Sequence, residues 1–280
     1  MIRSLWTAAS GMAAQQTNLD TVANNLANVN TPGFKKSRTG FQDLLYDRIS
    51  TPVPAPTSDG SYWQAPASGY AGPAPQQVGH GVRVAGTSRS FAPGTYESTG
   101  NPLDVAIDGT GFFCVVTQDG KLAYTRDGSF RLSGAGKLVT SDGYLVSSQG
   151  TGSGSQSGIS VPEGARIVSV GSDGNVRVTS SSGDTVCGTV GLALFPNPSG
   201  LEAIGHNLFK EIPASGAPKY VAAGKEGAGS ILGGYLETSN VQVVEEMVNL
   251  IVIQRAYEMN AKSVQSSDEV LGITNGLIRR

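Results

Sequence analysis

The chain has 280 residues, a formal net charge of −2 and only 15% charged residues, below the ~25% of an average soluble domain. The length allows one or two domains with a real core, and the near-zero charge excludes an electrostatic case for nucleic acid or an anionic membrane surface. Glycine, at 38 residues, is about twice its usual share and argues for many tight turns, since it reaches positive φ without penalty.

Residues 4–28 read as one helix. Leu5, Met12, Leu19 and Leu26 recur every seven residues, the narrow stripe of helices that share a seam. Ser4 is the expected N-cap. Asn24, Asn25, Asn28 and Asn30 crowd the last turns, and Thr31-Pro32-Gly33 stops the helix, because proline disfavours helix in the residue before it. The asparagine cluster reads equally as a helix stop or as a side-chain amide network between subunits. Residues 34–47 are expected to be an extended or briefly helical connector anchored by Phe34, Phe41, Leu44, Leu45 and Tyr46. Residues 51–75 are crowded with proline and glycine, which excludes a helix or a central strand. The plain reading is a flexible loop; against it, Tyr62, Trp63 and Tyr70 are costly to leave in water and predict that part of the segment docks on something.

From 89 to 236 turn signals come at short intervals. Asp108-Gly109, Asp119-Gly120, Asp127-Gly128, Asp142-Gly143 and Asp173-Gly174 are hairpin dipeptides. The apolar runs between them predict a meandering antiparallel sheet, a small barrel or sandwich, with a low-complexity surface loop at 147–158. Residues 240–276 read as a second helix, with Ser239 and Gln242 at capping-box spacing. Val243, Leu250, Tyr257, Val264 and Leu271 again recur every seven. The first half is apolar nearly all round and must be surrounded by protein; Glu245, Glu246 and Asn249 punctuate it too heavily for a lipid span. One N-terminal helix cannot surround it, so neighbouring copies are expected. The fold class is therefore α+β: long N- and C-terminal helices pairing in coiled-coil fashion, with a mainly antiparallel β body.

Little here points to catalysis. Cys114 and Cys187 read as buried thiols in preference to a disulfide. His80 and His206 form no metal-ligand spacing, the Gly150, Gly152 and Gly154 run precedes no helix that would make a phosphate cradle, and no G-x-S-x-G elbow is present. Glu245 and Glu246 read as solvated or dipole-favoured charges at a helix start, and Tyr257 as core. No cofactor, metal or enzymatic activity is expected. Two rival readings are a peptidoglycan-binding β module with a dimerising coiled coil, and a β-rich wall hydrolase.

The run from Ala23 to Phe34, carrying Asn24, Asn25, Leu26, Asn28, Thr31, Pro32, Gly33 and Phe34, closely resembles the N-terminal signature of the bacterial flagellar rod, hook and hook–filament junction family. Residues 239–271 resemble that family's C-terminal helix, and the stretches Gly81–Phe91, Asp104–Val115, Ala123–Leu132, Leu201–Phe209 and Gly233–Val241 are most similar to its distal-rod members. The resemblance implies a helical inner domain from 1–33 and 237–280, in which the two stripes pack against neighbours, a linker domain over 34–88, and a β-rich outer domain over 89–236. It departs at 51–75, which is longer than the family's usual stretch. It further implies a structural subunit of the distal rod, or else a hook or proximal-rod paralogue. Such a subunit polymerises as a helical tube that transmits torque through the periplasm. The implied partners are other copies, the proximal rod, the hook, the surrounding envelope rings and the type III export apparatus. Export without a cleavable signal fits a start with no apolar run of signal-peptide length.

Overall fold

The computed structural model describes residues 2–49, 76–148, 158–162, 167–180 and 183–278; the readings made for 51–75 and for most of 147–158 lie outside them. Two long helices bracket a body of short strands. Helix α1 spans Ile2–Ala27 and α2 spans Val243–Ile278, about 54 Å of helix for the latter at 1.5 Å per residue.

Both helix starts differ from expectation. Ser4 lies inside α1, because nothing in Ile2-Arg3 breaks a helix and the element begins upstream of it. Ser239 caps a turn ahead of α2: its Oγ accepts from Val241 N at 3.3 Å. Glu246 N donates to Gln242 O at 3.0 Å, so Gln242 stands at the helix boundary. The box does not form because the helix begins at Val243, too far along for Ser239 to be its N-cap; Asn240, between the two, accepts from Lys36 N and donates to the Ser90 and Ala92 carbonyls.

The chain divides into two units. One comprises 1–20, 39–86 and 251–280. Most of the paired strands Ser37–Asp43 and Val82–Arg89 fall in it, and there Tyr46–Ile49 pairs antiparallel with Gln76–Gly79. The connector is thus extended, and its helical alternative is not taken. Arg3 binds Asp47 at 2.9 Å, and Ser10 Oγ accepts from Val82 N at 3.4 Å, which fastens the start of α1 to these strands.

The second unit, 21–38 and 87–250, holds the β body. Its spine is Phe112–Val116. One side carries Leu122–Thr125; the other is shared by Gly191–Leu194 and Leu145–Val146, all antiparallel. Leu208–Lys210 and Glu202–Gly205 extend the sheet one way, and Leu138–Thr140 with Phe130–Leu132 the other, while Lys219–Ala222 pairs with Gly191–Leu194. Both faces of the spine are covered. Phe113 joins a cluster with Ile107, Phe130, Leu138, Leu192 and Ile231. Phe112 and Cys114 join one with Tyr124, Phe195 and Phe209. Successive strand residues point to opposite faces, so a doubly covered strand needs an unbroken apolar run, and FFCVV supplies it.

Among the five Asp-Gly pairs between residues 89 and 236, Asp119-Gly120, Asp142-Gly143 and Asp173-Gly174 close hairpins. Asp108-Gly109 and Asp127-Gly128 do not, because the strands flanking each belong to different ladders. Gly128 serves a close approach instead: its backbone packs on the Val105 carbonyl, where a Cβ has no room. Cys114 and Cys187 are free thiols, the first buried and the second half-buried.

Candidate assembly surfaces and the buried anchor of the signature loop

The asparagine-rich end of α1 closes on itself. Asn28 N shares the carbonyls of Asn24 and Asn25, and Asn28 Nδ2 returns to Asn24 O at 2.9 Å. Asn25, fully buried, both donates to Ser37 O and accepts from Ser37 N at 2.9 Å, so one amide side chain mimics a strand partner for the outgoing chain. Gly33 then takes φ +69° and donates to Glu237 O at 2.8 Å. A Cβ there would fall 2.6 Å from Asp127 N, so glycine is required both by conformation and by space. Asn207 Nδ2 donates to Pro32 O, and Phe34 is buried.

Immediately after the signature lies the feature that the sequence reading missed. Lys35 is wholly buried, and its Nζ donates to Glu237 Oε1 and to Ala92 O. Glu237 also accepts from Gly94 N and from Arg126 Nη1 at 3.3 Å. Arg126 Nη2 reaches Gly109 O, and its guanidinium lies 5.4 Å from the Phe112 ring centroid. Arg126 Nε has no hydrogen-bond partner among the described residues. Two cations therefore share one carboxylate in a dry interior. Burial pushes the Lys35 ammonium below its ordinary value against the pull of Glu237, and burial likewise lowers Arg126. The triad ties the residue after the signature loop to the middle of the β body and to the strand that leads into α2.

The helices present two kinds of face. On α2, Glu246 and Ile253 are buried, while Leu250, Asn260, Val264, Ser267 and Leu271 are half-buried. With Tyr257 these positions alternate four and three apart, a heptad seam. The more apolar face points outward: Val244 is 76% exposed, Val248 54%, Ile251 55% and Val252 60%. Among the stripe positions read from the sequence, Leu5, Met12, Leu19 and Leu26 are half-buried on α1, and Val243 and Tyr257 are each 41% exposed. Tyr257 is thus not core within one chain. Glu246 is likewise buried rather than solvated, and Glu245 pairs with Lys36 at 3.1 Å. Both carboxylates sit in the first turn, where the helix dipole favours negative charge. His80 lies 3.3 Å from Asp47 and His206 3.6 Å from Asp142, both on the surface. Among the described residues no helix is long and apolar enough to cross a membrane.

Three family models match this chain. One described as flagella basal body rod protein covers residues 5–35. The flagellar hook protein FlgE/F/G D1 domain covers 106–178. The flagellar basal body rod FlgEFG protein C-terminal model covers 232–277. The flagellar basal-body rod protein FlgG of Borreliella burgdorferi is 45% identical over 287 aligned positions, spanning 100% of each chain. The chain belongs to the flagellar rod and hook protein family. FlgG proteins of Caulobacter vibrioides and Bacillus subtilis are 42% and 39% identical, over 99% and 97% of each chain. Each of the three matched family segments contributes one member of the buried triad: Lys35 from the first, Arg126 from the second and Glu237 from the third. The charges that hold this rod-family chain together thus join its three segments at one point.

Proposed function

We propose that this chain is the structural subunit of the distal part of the flagellar rod, without enzymatic activity. Full-length identity of 45% to a basal-body rod protein carries the reading, and the exposed apolar face of α2 is the surface such a polymer needs. Copies stack head to tail in contacts that do not close, which gives an open helical tube. The helical ends, 1–33 and 237–280, form the inner wall, with α1 and α2 packing in coiled-coil fashion. The linker, 34–88, ties neighbours together, and the β body, 89–236, faces outward. In a lone subunit the two helices bury little against one another and are only weakly ordered, and they settle on assembly. The tube crosses the periplasm, turns within the envelope rings, joins proximal rod to hook, and receives its subunits through the type III export channel. Its stripe residues supply the drive: burying one Leu- or Val-sized side chain contributes roughly 1.5–3 kcal/mol.

The test is substitution in the stripes. Leu19→Asp or Leu250→Asp abolishes seeded polymerisation of the purified chain and motility of cells that carry it, while the β body keeps its unfolding midpoint. Rods built normally by either variant would refute the reading, as would an isolated wild-type chain that forms a discrete dimer and no filament.

A further inference from the structure

Gly11 is the only glycine in α1. A glycine inside a helix costs about 1 kcal/mol relative to alanine, so its presence asks for a reason. The glycines of α2 offer none, since a Cβ at Gly272 or Gly276 would meet nothing within 4 Å. Gly11 differs: a Cβ there would stand 3.0 Å from Asn260 Nδ2 and 3.5 Å from Asn260 Cγ. The approach is to one side chain only, and that side chain belongs to the half-buried seam of α2. The Asn260 side chain makes no hydrogen bond with any described residue, so its amide is not held there by a polar partner. What it has is space, and the missing methyl of Gly11 supplies it.

We propose that Gly11 and Asn260 form a size-matched contact that fixes the axial register of α1 against α2, making them specificity-determining positions for assembly. A polar residue at one seam position selects register at some cost in stability. A slip of one heptad would bring Ser4 or Asn18 to Asn260, each carrying a side chain where Gly11 has none. The outer faces of the helix pair then have one fixed relation, which is what identical copies in a shaft require; in this respect the inference rests on the rod reading above.

The signs of the substitutions test it. By helix propensity alone Gly11→Ala would strengthen α1 and favour assembly. If the contact is size-matched, Gly11→Ala instead raises the critical concentration for seeded polymerisation about tenfold, the scale of one overpacked methyl. Adding Asn260→Ala to Gly11→Ala restores it to near the wild-type value. Asn260→Leu alone still polymerises but gives filaments of mixed helical order in cryo-EM images. The far-ultraviolet helical signal of the unassembled full-length chain is followed in the same four-member cycle (wild type, each single alanine variant and the double). If wild type fails to polymerise, the rod reading fails, while non-additive helix content in that cycle still supports the contact. Additive effects in every readout obtained, or a Gly11→Ala chain that assembles better than wild type, would overturn the proposal.

Discussion

Lys35 Nζ lies 2.5 Å from Glu237 Oε1 although 202 positions separate the two residues in sequence, and neither side chain is reached by water. Arg126 approaches the other carboxylate oxygen. The arrangement joins the exit of α1 to the approach to α2 through a group that cannot shear without exposing a charge to a dry interior.

Charge counting gives the first prediction. Glu237→Gln leaves two buried cations with no anion, and its cost in urea unfolding of the full chain is about 3–5 kcal/mol. Lys35→Met removes one cation and leaves Glu237 paired with Arg126 and Gly94 N, so it costs clearly less. If Lys35→Met proved as damaging as Glu237→Gln, the shortage of negative charge would not be what governs this site.

Gly33 and Gly143 separate conformation from space. Both have positive φ, +69° and +86°, but a Cβ at Gly33 strikes the peptide between Arg126 and Asp127, whereas one at Gly143 meets nothing within 4 Å. Gly143→Ala therefore costs only the left-handed penalty, about 1–2 kcal/mol. Gly33→Ala costs at least twice that and loosens the signature loop, read as faster amide exchange of Phe34 and Lys35. Equal losses at the two sites would show that the close approach does not matter.

The triad also shows where sequence reading ended. The period of the two helices is visible because periodicity is local, and FFCVV is visible as a strand for the same reason, but that both its faces are covered came only from the structure. The stop at Asn24 to Gly33 was legible too, but its purpose was not: Asn25 serves Ser37, and Gly33 makes room for the Arg126–Asp127 peptide. Lys35, Arg126 and Glu237 all lay in or beside stretches that resemble the family, yet nothing local says that a charge 202 positions away is its partner. For Glu246 the dipole-favoured alternative holds and the solvated one does not, since a glutamate at a helix start is favoured by the dipole whether it is buried or solvated.

Cys114 makes stability depend on alkaline pH. Burial pushes its thiol from an ordinary 9.0 up to about 12. The folded-state value lies above the unfolded one, so below pH 9 both states hold the proton and the group contributes no slope. Above it the unfolded chain loses its proton first, and stability falls by up to about 1.4 kcal/mol per pH unit until the folded value is reached. Cys114→Ala loses packing at pH 7 but lacks this slope. The gap between wild type and variant, measured by urea unfolding at pH 8, 9.5 and 10.5, therefore narrows as pH rises. The buried tyrosines titrate in both proteins and largely cancel in the difference. A constant gap would mean that the thiol is not the source.

Ile251 tests the outward face of α2 without touching the seam. It is 55% exposed in the single chain, with Val248 one turn before it and Val252 beside it. An aspartate there meets water in the monomer, so unfolding of the lone chain shifts by no more than about 0.5 kcal/mol. In a polymer the same aspartate would be carried into an apolar contact and stripped of water, a cost of several kcal/mol for each copy. Ile251→Asp is therefore expected to leave a well-folded monomer that neither extends wild-type seeds nor forms filaments. Because the drive is apolar, sulfate strengthens wild-type assembly, while moderate sodium chloride, which only screens exposed charge, leaves it nearly unchanged. Filaments of Ile251→Asp at the wild-type critical concentration would mean that this face points to solvent in the rod, and steep weakening by sodium chloride would mean that charge pairs hold the copies together.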